Sequence, residues 1–198
     1  MKTDIVIAGV GGQGILSIAT TIGIAALNNK LNVKQSETHG MSQRGGDVVS
    51  HLRLSDKQIY SDLIAYGEAN LIMSVEPMES LRYMPYLSNT GYLITNTTPF
   101  LNITNYPDLD KLLTTLNNMK NVISIDSEKI AADLGSKLAS NIVILGAGSP
   151  FINNITFESL ENSIIELFSR KGKDIVNLNL AALKAGRDIT KKILQLKK

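Results

Sequence analysis

Three glycines, Gly9, Gly11 and Gly14, stand at the spacing G-x-G-x-x-G, with Gly12 and Gln13 inside the motif. Glycine allows positive φ and lets another group come close to the backbone. Such a loop, set at the start of a helix, gathers unpaired N–H groups and the positive end of the helix dipole. The chemistry on offer is the seating of an anion, phosphate first. A second reading has the glycines serve only tight packing between a strand and a helix. Glu37 adds to the first reading: it ends a β-like run, Asn32 to Ser36, where a dinucleotide fold places its ribose contact.

A second polar block follows, Thr38-His39-Gly40-Met41-Ser42-Gln43-Arg44-Gly45-Gly46. With Glu37 it collects His39, Ser42, Gln43 and Arg44 near the C-terminal ends of the first strands, where open α/β sheets bind ligands. Arg44 is suited to bidentate pairing with a phosphate or carboxylate; an arginine standing free in solvent is the equal alternative. Glu76 and Glu79 flank Pro77 and invite an acid–base reading. Stabilisation of a helix N-terminus, about 0.3–1 kcal/mol each, is the better one. His39 and His51 lack a third group to complete a mechanism, and His51 reads as a packing or interface residue on an alternating strand.

Other chemistries are excluded more firmly. The chain has no cysteine, so it has no disulfide, no cysteinyl nucleophile and no thiolate-ligated iron–sulfur cluster of its own. Two histidines make a zinc site a poor expectation. A net charge of +2 argues against nucleic acid, and the terminal Lys191-Lys192 and Lys197-Lys198 pairs suit a solvated helix end. Neither a signal-type leader nor an apolar run of membrane-spanning length is present, which sets a cytoplasmic expectation.

The elements that must position these residues are read from periodicity. Ile5 to Ala8 is a strand, and Ile15 to Leu27 is a helix. The run from Asn32 is a second strand expected beside the first. Asp47 to Leu54 alternates as a strand, Ser55-Asp56-Lys57 is turn chemistry, and Gln58 to Ser61 is expected to return as the other arm of a hairpin. Further strands are expected at 69–75, 91–96 and 121–125. Helices are expected from Pro77 (Met78, Leu81, Met84, Leu87), from Asp108 through Met119, and from Ser127 to near Gly135. Leu138 to Gly146 fits strand or buried helix, with helix preferred. Thr156 to Phe168 and Asp174 to Leu196 complete the chain. The 198 residues, 43% of them hydrophobic, make one α/β domain over 1–198. Its expected form is three-layered: a mostly parallel sheet, a Rossmann-like N-terminal βαβ unit, an inserted β-hairpin and C-terminal helices.

The two glycine blocks, the strand Val48-Val49-Ser50-His51, Glu76-Pro77 with Glu79, Leu81 and Arg82, Asn141 with Leu145-Gly146-Ala147, and Asn179, Ala182 and Gly186 together resemble one family. It is the gamma-type module of the pyruvate and 2-oxoacid:ferredoxin oxidoreductases, and within it the indolepyruvate branch. The resemblance runs almost end to end, and its most specific part is Glu-x-His-Gly-Met-x-Gln-Arg-Gly-Gly.

The resemblance implies the fold of the family's third domain and an accessory beta subunit, inactive alone. Its larger alpha partner would carry thiamine diphosphate and the iron–sulfur clusters, decarboxylate an aryl 2-oxoacid to an acyl-CoA and pass electrons to ferredoxin, a chemistry of anaerobic metabolism. On this chain it implies no catalytic residue. Gly9, Gly11, Gly12, Gln13, Gly14, Arg44, Gly45 and Gly46 are expected around coenzyme A. Glu37, His39, Met41, Ser42, Gln43 and His51 are expected at a subunit interface, with a homodimer as the form of the isolated chain. Asp47 departs from the small neutral residue expected after Gly45-Gly46 and sets a carboxylate beside the anion site. The rival is a stand-alone NAD(P)-type protein using Gly9, Gly11, Gly14 and Glu37; it requires ordinary parallel strands after Glu37 and no hairpin at 47–61.

Overall fold

A computed structural model describes residues 1–40, 45–101 and 103–196. The strands are β1 (Lys2–Val10), β2 (Asn32–His39), β3 (Asp47–Ser55), β4 (Ala69–Ser74), β5 (Leu87–Asn96) and β6 (Val122–Ile125). The helices are α1 (Ile15–Asn28), α2 (Pro77–Arg82), α3 (Leu109–Asn117), α4 (Ser127–Asp133), α5 (Ser140–Gly148), α6 (Phe157–Phe168) and α7 (Lys173–Leu196).

The strands form one sheet in the order β2-β3-β1-β4-β5-β6. β1 is apolar on both sides because both sides are covered, as buried parallel strands require. Ile5 and Ile7 face the core shared with α1, α5, α6 and α7, while Val6 and Ala8 face the smaller core under α2 and α3. The result is the expected three-layer α/β fold. In α1, the residues Ile15, Ile18, Ala19, Ile22, Ala25 and Ala26 recur at helical spacing and are all buried against the sheet.

Two expectations are corrected. β2 does not lie beside β1, because β3 separates them and pairs antiparallel with both. Every residue of β3 has a partner on β1, from Lys2↔Ser55 to Val10↔Asp47. The second correction follows: Gln58–Ser61 is not a strand. With both edges of β3 taken, no hydrogen-bonding edge is left for it. The Arg53 guanidinium instead holds this segment, donating to the Ser61 and Leu63 carbonyls at 3.1 and 2.9 Å. The same guanidinium grips the fully buried Asp4 carboxylate at 2.9 and 3.2 Å. The antiparallel insertion is therefore β3, which lies between β2 and β1 and pairs with both. The other strands share one direction, with β1–β4, β4–β5 and β5–β6 all parallel. The NAD(P) reading meets a mixed outcome: β3, the strand next after Glu37, is antiparallel to both its neighbours where that reading requires a parallel one, while β4 to β6 are parallel and no hairpin forms over 47–61.

Smaller boundaries also move. Leu87 starts β5 and does not belong to α2, and Asp174 lies in the first turn of α7. The preference for helix at Leu138 to Gly146 holds in α5, whose residues Asn141 to Gly148 are all buried. It is apolar all round because it is wedged between the sheet and α7. A Cβ on Gly146 would lie 2.0 Å from the Leu183 carbonyl oxygen, and one on Gly186 would lie 2.0 Å from that of Val143. Thr190 adds a buried hydrogen bond to the Ala147 carbonyl at 3.0 Å. The two backbones are nearly in contact.

Because the obstructing atoms are main-chain, Gly146→Ala and Gly186→Ala are each expected to lower stability by about 1–3 kcal/mol. The midpoint of urea unfolding measures this.

Candidate functional site

The strand β1 ends in the glycine loop, and α1 begins at Ile15 with Gly14 as its N-cap. Gly14 has φ +79, and a Cβ there would also collide with the Asn141 amide nitrogen at 2.4 Å. That nitrogen donates to the Gly14 carbonyl at 3.0 Å. The first turn of α5 thus braces the loop from behind. Gly9 is needed for contact with Val75, as the packing reading anticipates. Gly12 is different: its φ is +98 and a Cβ would meet nothing within 4 Å. It is the open tip of the loop.

The amides of residues 11–14 do not act as one nest. Gly11 N–H donates to the Gly46 carbonyl at 2.9 Å, and Gln13 N–H donates to the Val10 carbonyl at 3.1 Å. The Gln13 side chain is also turned inward, accepting from Val10 N–H at 2.8 Å and donating to the Val75 carbonyl at 3.4 Å. Gln13 shapes the loop. The N–H groups of Gly12, Gly14, Ile15 and Leu16 have no acceptor among the described residues. Gly12 and Leu16 are exposed, but Gly14 is half-buried and Ile15 buried, where a donor without an acceptor is costly unless water or a ligand supplies one.

Two clefts flank the loop. One, of about 330 Å³, lies between Gly12, Gly14, Ser17, Lys137, Asn141 and Lys171. The other, of about 390 Å³, is walled by Gly11, Gly12, Leu16, Glu37, His39 and Val48. In the second, His39 Nε2 lies 2.6 Å from a Glu37 carboxylate oxygen. Sequence reasoning missed Lys137 and Lys171. They reach the first cleft from the far end of the chain, and no local pattern marks them.

Gly45 and Gly46 sit beside the first loop through the Gly11–Gly46 hydrogen bond. Met41, Ser42, Gln43 and Arg44 lie outside the described residues. Asp47 does not crowd the anion site. Successive side chains of β3 point to opposite faces, and Val48 lines the cleft. Asp47 is turned to the other face, where an oxygen of its carboxylate accepts from the Tyr83 hydroxyl at 3.3 Å.

His51 is buried, accepts at Nδ1 from Ile64 N–H at 3.0 Å and meets Tyr86 edge-on at 5.0 Å. It packs inside the chain. Burial first, and the Arg53 cation second, hold its pKa below the ordinary value. Glu76 caps α2, as the helix-terminus reading expects: it accepts from Glu79 N–H at 2.8 Å. It is fully buried and also accepts from Phe100 N–H at 3.3 Å and from the Tyr106 hydroxyl at 2.5 Å. Glu79 accepts from Arg82 Nε at 2.8 Å. Burial raises the Glu79 pKa, against the pull of Arg82. Among the described residues no three metal-ligating side chains come together.

Residues 4–189 match the family described as pyruvate ferredoxin/flavodoxin oxidoreductase. The chain is 38% identical over 198 aligned positions to indolepyruvate oxidoreductase subunit IorB of Archaeoglobus fulgidus, covering 94% of each chain. It is 35% identical to the subunit of the same name from Methanothermobacter thermautotrophicus, covering 94% of this chain and 96% of that one. Among solved structures, the gamma subunit of a keto/oxoacid ferredoxin oxidoreductase from Geobacter sulfurreducens shares the fold. It superposes with a TM-score of 0.72 at 22% identity, covering 96% of this chain and 99% of that one. A 2-oxoglutarate:ferredoxin oxidoreductase from Magnetococcus marinus, solved with 2-oxoglutarate, coenzyme A and succinyl-CoA bound, gives 0.76 at 22% identity. The match covers 96% of this chain and 31% of that longer polypeptide.

Gly14→Ala is expected to cost more than the about 1–2 kcal/mol of a left-handed non-glycine residue, because of the added clash with Asn141. Combining it with Asn141→Ala should recover part of the loss, read as a coupling in a double-mutant cycle of unfolding free energies. For His51, whose folded pKa is depressed, the unfolded chain binds more protons below about pH 6.5. Stability is therefore full above that pH and declines as the pH falls through it. His51→Gln should flatten this slope in denaturation curves taken at several pH values.

Proposed function

This chain belongs to the pyruvate ferredoxin/flavodoxin oxidoreductase family as a small subunit of the 2-oxoacid:ferredoxin type, and from that premise we propose that it is the accessory subunit of an indolepyruvate oxidoreductase. In this reading a larger subunit holds thiamine diphosphate and the iron–sulfur clusters, oxidatively decarboxylates aryl 2-oxoacids and hands electrons to ferredoxin. With no cysteine, this chain offers no thiolate ligand for an iron–sulfur cluster.

Coenzyme A does fit. The observation that carries this reading is the open tip at Gly12, where Gly12, Gly14 and the first turn of α1, whose N–H groups have no acceptor among the described residues, line two clefts. Backbone donors at a helix N-terminus hold phosphate without a side chain. The Magnetococcus relative binds coenzyme A, which supports the assignment by kinship. The chemistry of bond cleavage and electron transfer belongs to the partner's cofactors. This chain's part is to bind the thiol-bearing substrate and complete the assembly. The faces offered for that assembly include Glu37 and His39 at the rim of the second cleft.

The isolated chain is expected to show no oxidation of indolepyruvate. Co-expressed with a cysteine-rich, thiamine-dependent large subunit, it should copurify with it and support CoA-dependent reduction of ferredoxin. Turnover by the isolated chain, or a complex indifferent to coenzyme A, would refute the reading.

A further inference from the structure

Asp47 is the residue at which the second glycine block returns to the sheet, and three contacts meet on it. Its carbonyl accepts from Gly40 N–H at 2.8 Å. One carboxylate oxygen lies across Gly40, 2.6 Å from where a Cβ would stand. The other accepts from the Tyr83 hydroxyl at 3.3 Å. The preceding carbonyl, that of Gly46, takes the Gly11 N–H. Gly40, Gly46 and Asp47 are thus tied to one another, to the first loop, and through Asp47 to the layer on the opposite face.

Tyr83 is well placed for this. It is the C-cap residue of α2, and the helix is itself fixed by the Glu76 cap and the Arg82–Glu79 pair. Its ring belongs to the small core with Val49 and Tyr86. Its pKa is raised, by burial first and by Asp47 second, so the hydroxyl stays a donor at any physiological pH. Neither residue lines a cleft beside the glycine loop. They act from behind.

We propose that Asp47 and Tyr83 are positioning residues for coenzyme A, a latch on the far face of the sheet that holds Gly46 against Gly11 and so sets the spacing of the two glycine loops. The proposal rests on the reading that these loops take the coenzyme. In this arrangement the Asp47 carboxylate faces away from the cleft and acts on Gly46, its neighbour in the chain, from behind.

The test uses the assembled complex with its large subunit, with coenzyme A as the titrant, by steady-state kinetics and by calorimetry. Tyr83→Phe and Asp47→Leu are expected to raise the KM and Kd for coenzyme A about three- to ten-fold, the size of one net hydrogen bond. The kcat at saturating coenzyme A and the recovery of the large subunit should stay as in the parent. Asp47→Asn keeps an acceptor oxygen for Tyr83 and should bind nearly as the parent does. Lower stability with an unchanged KM in Tyr83→Phe would overturn the latch and leave only a packing role. Gly12→Asp, with Gly12→Asn as the control for backbone strain, separates the two levels. If Gly12→Asp weakens coenzyme A and the latch variants do not, the latch falls alone. If none of them does, the reading of the loops falls too.

Discussion

The antiparallel pairing of β3 along the whole of β1 is the constraint on which the site depends. It sets Val10 opposite Asp47, and so brings Gly11 of one glycine block against Gly46 of the other. A parallel β1–β2 pairing, as in a plain dinucleotide fold, would leave the second block at a distance. The insertion also commits the chain to its side-chain faces. A slip of one residue would exchange Val48 and Asp47, bringing a carboxylate to the cleft and a valine to the Tyr83 hydroxyl.

The loop is held from a second direction by packing. α5 is the most enclosed helix of the fold, and its approach to α7 is limited only by main-chain contact at Gly146 and Gly186. From that fixed position Asn141 reaches the Gly14 carbonyl. The conformation of the glycine loop is therefore set by long-range contacts on both sides, β3 in front and α5 behind. Preorganised donors of this kind bind an anion without paying for their own ordering at the moment of binding.

Much of this was legible in the residues. The strand–loop–helix start, the helices that begin after Asp108 and Thr156, the helical character of α5 and the strands β4 to β6 follow from local periodicity and turn chemistry. The position of β3 does not. Alternation marks Asp47 to Leu54 as a strand, but its partners are chosen by which edges are free, and local pattern is blind to that. Gln58–Ser61 had strand-like residues, but both edges of β3, its expected partner, are taken. Likewise the sequence motif could not distinguish the amides of Gly11 and Gln13, which are consumed internally, from those of Gly12 and Gly14. Lys137 and Lys171 had no motif at all.

The Glu76 carboxylate gathers three donors from two separate segments, Glu79 N–H on one side and Phe100 N–H and the Tyr106 hydroxyl on the other. Between those last two lie the exposed Leu101 and Ile103. A single buried acid is thus the tether of a surface segment that a protease would otherwise find attractive. Nicking in this region becomes a readout of whether that acid is in place, and a way to follow the integrity of the α2 layer without any ligand or partner.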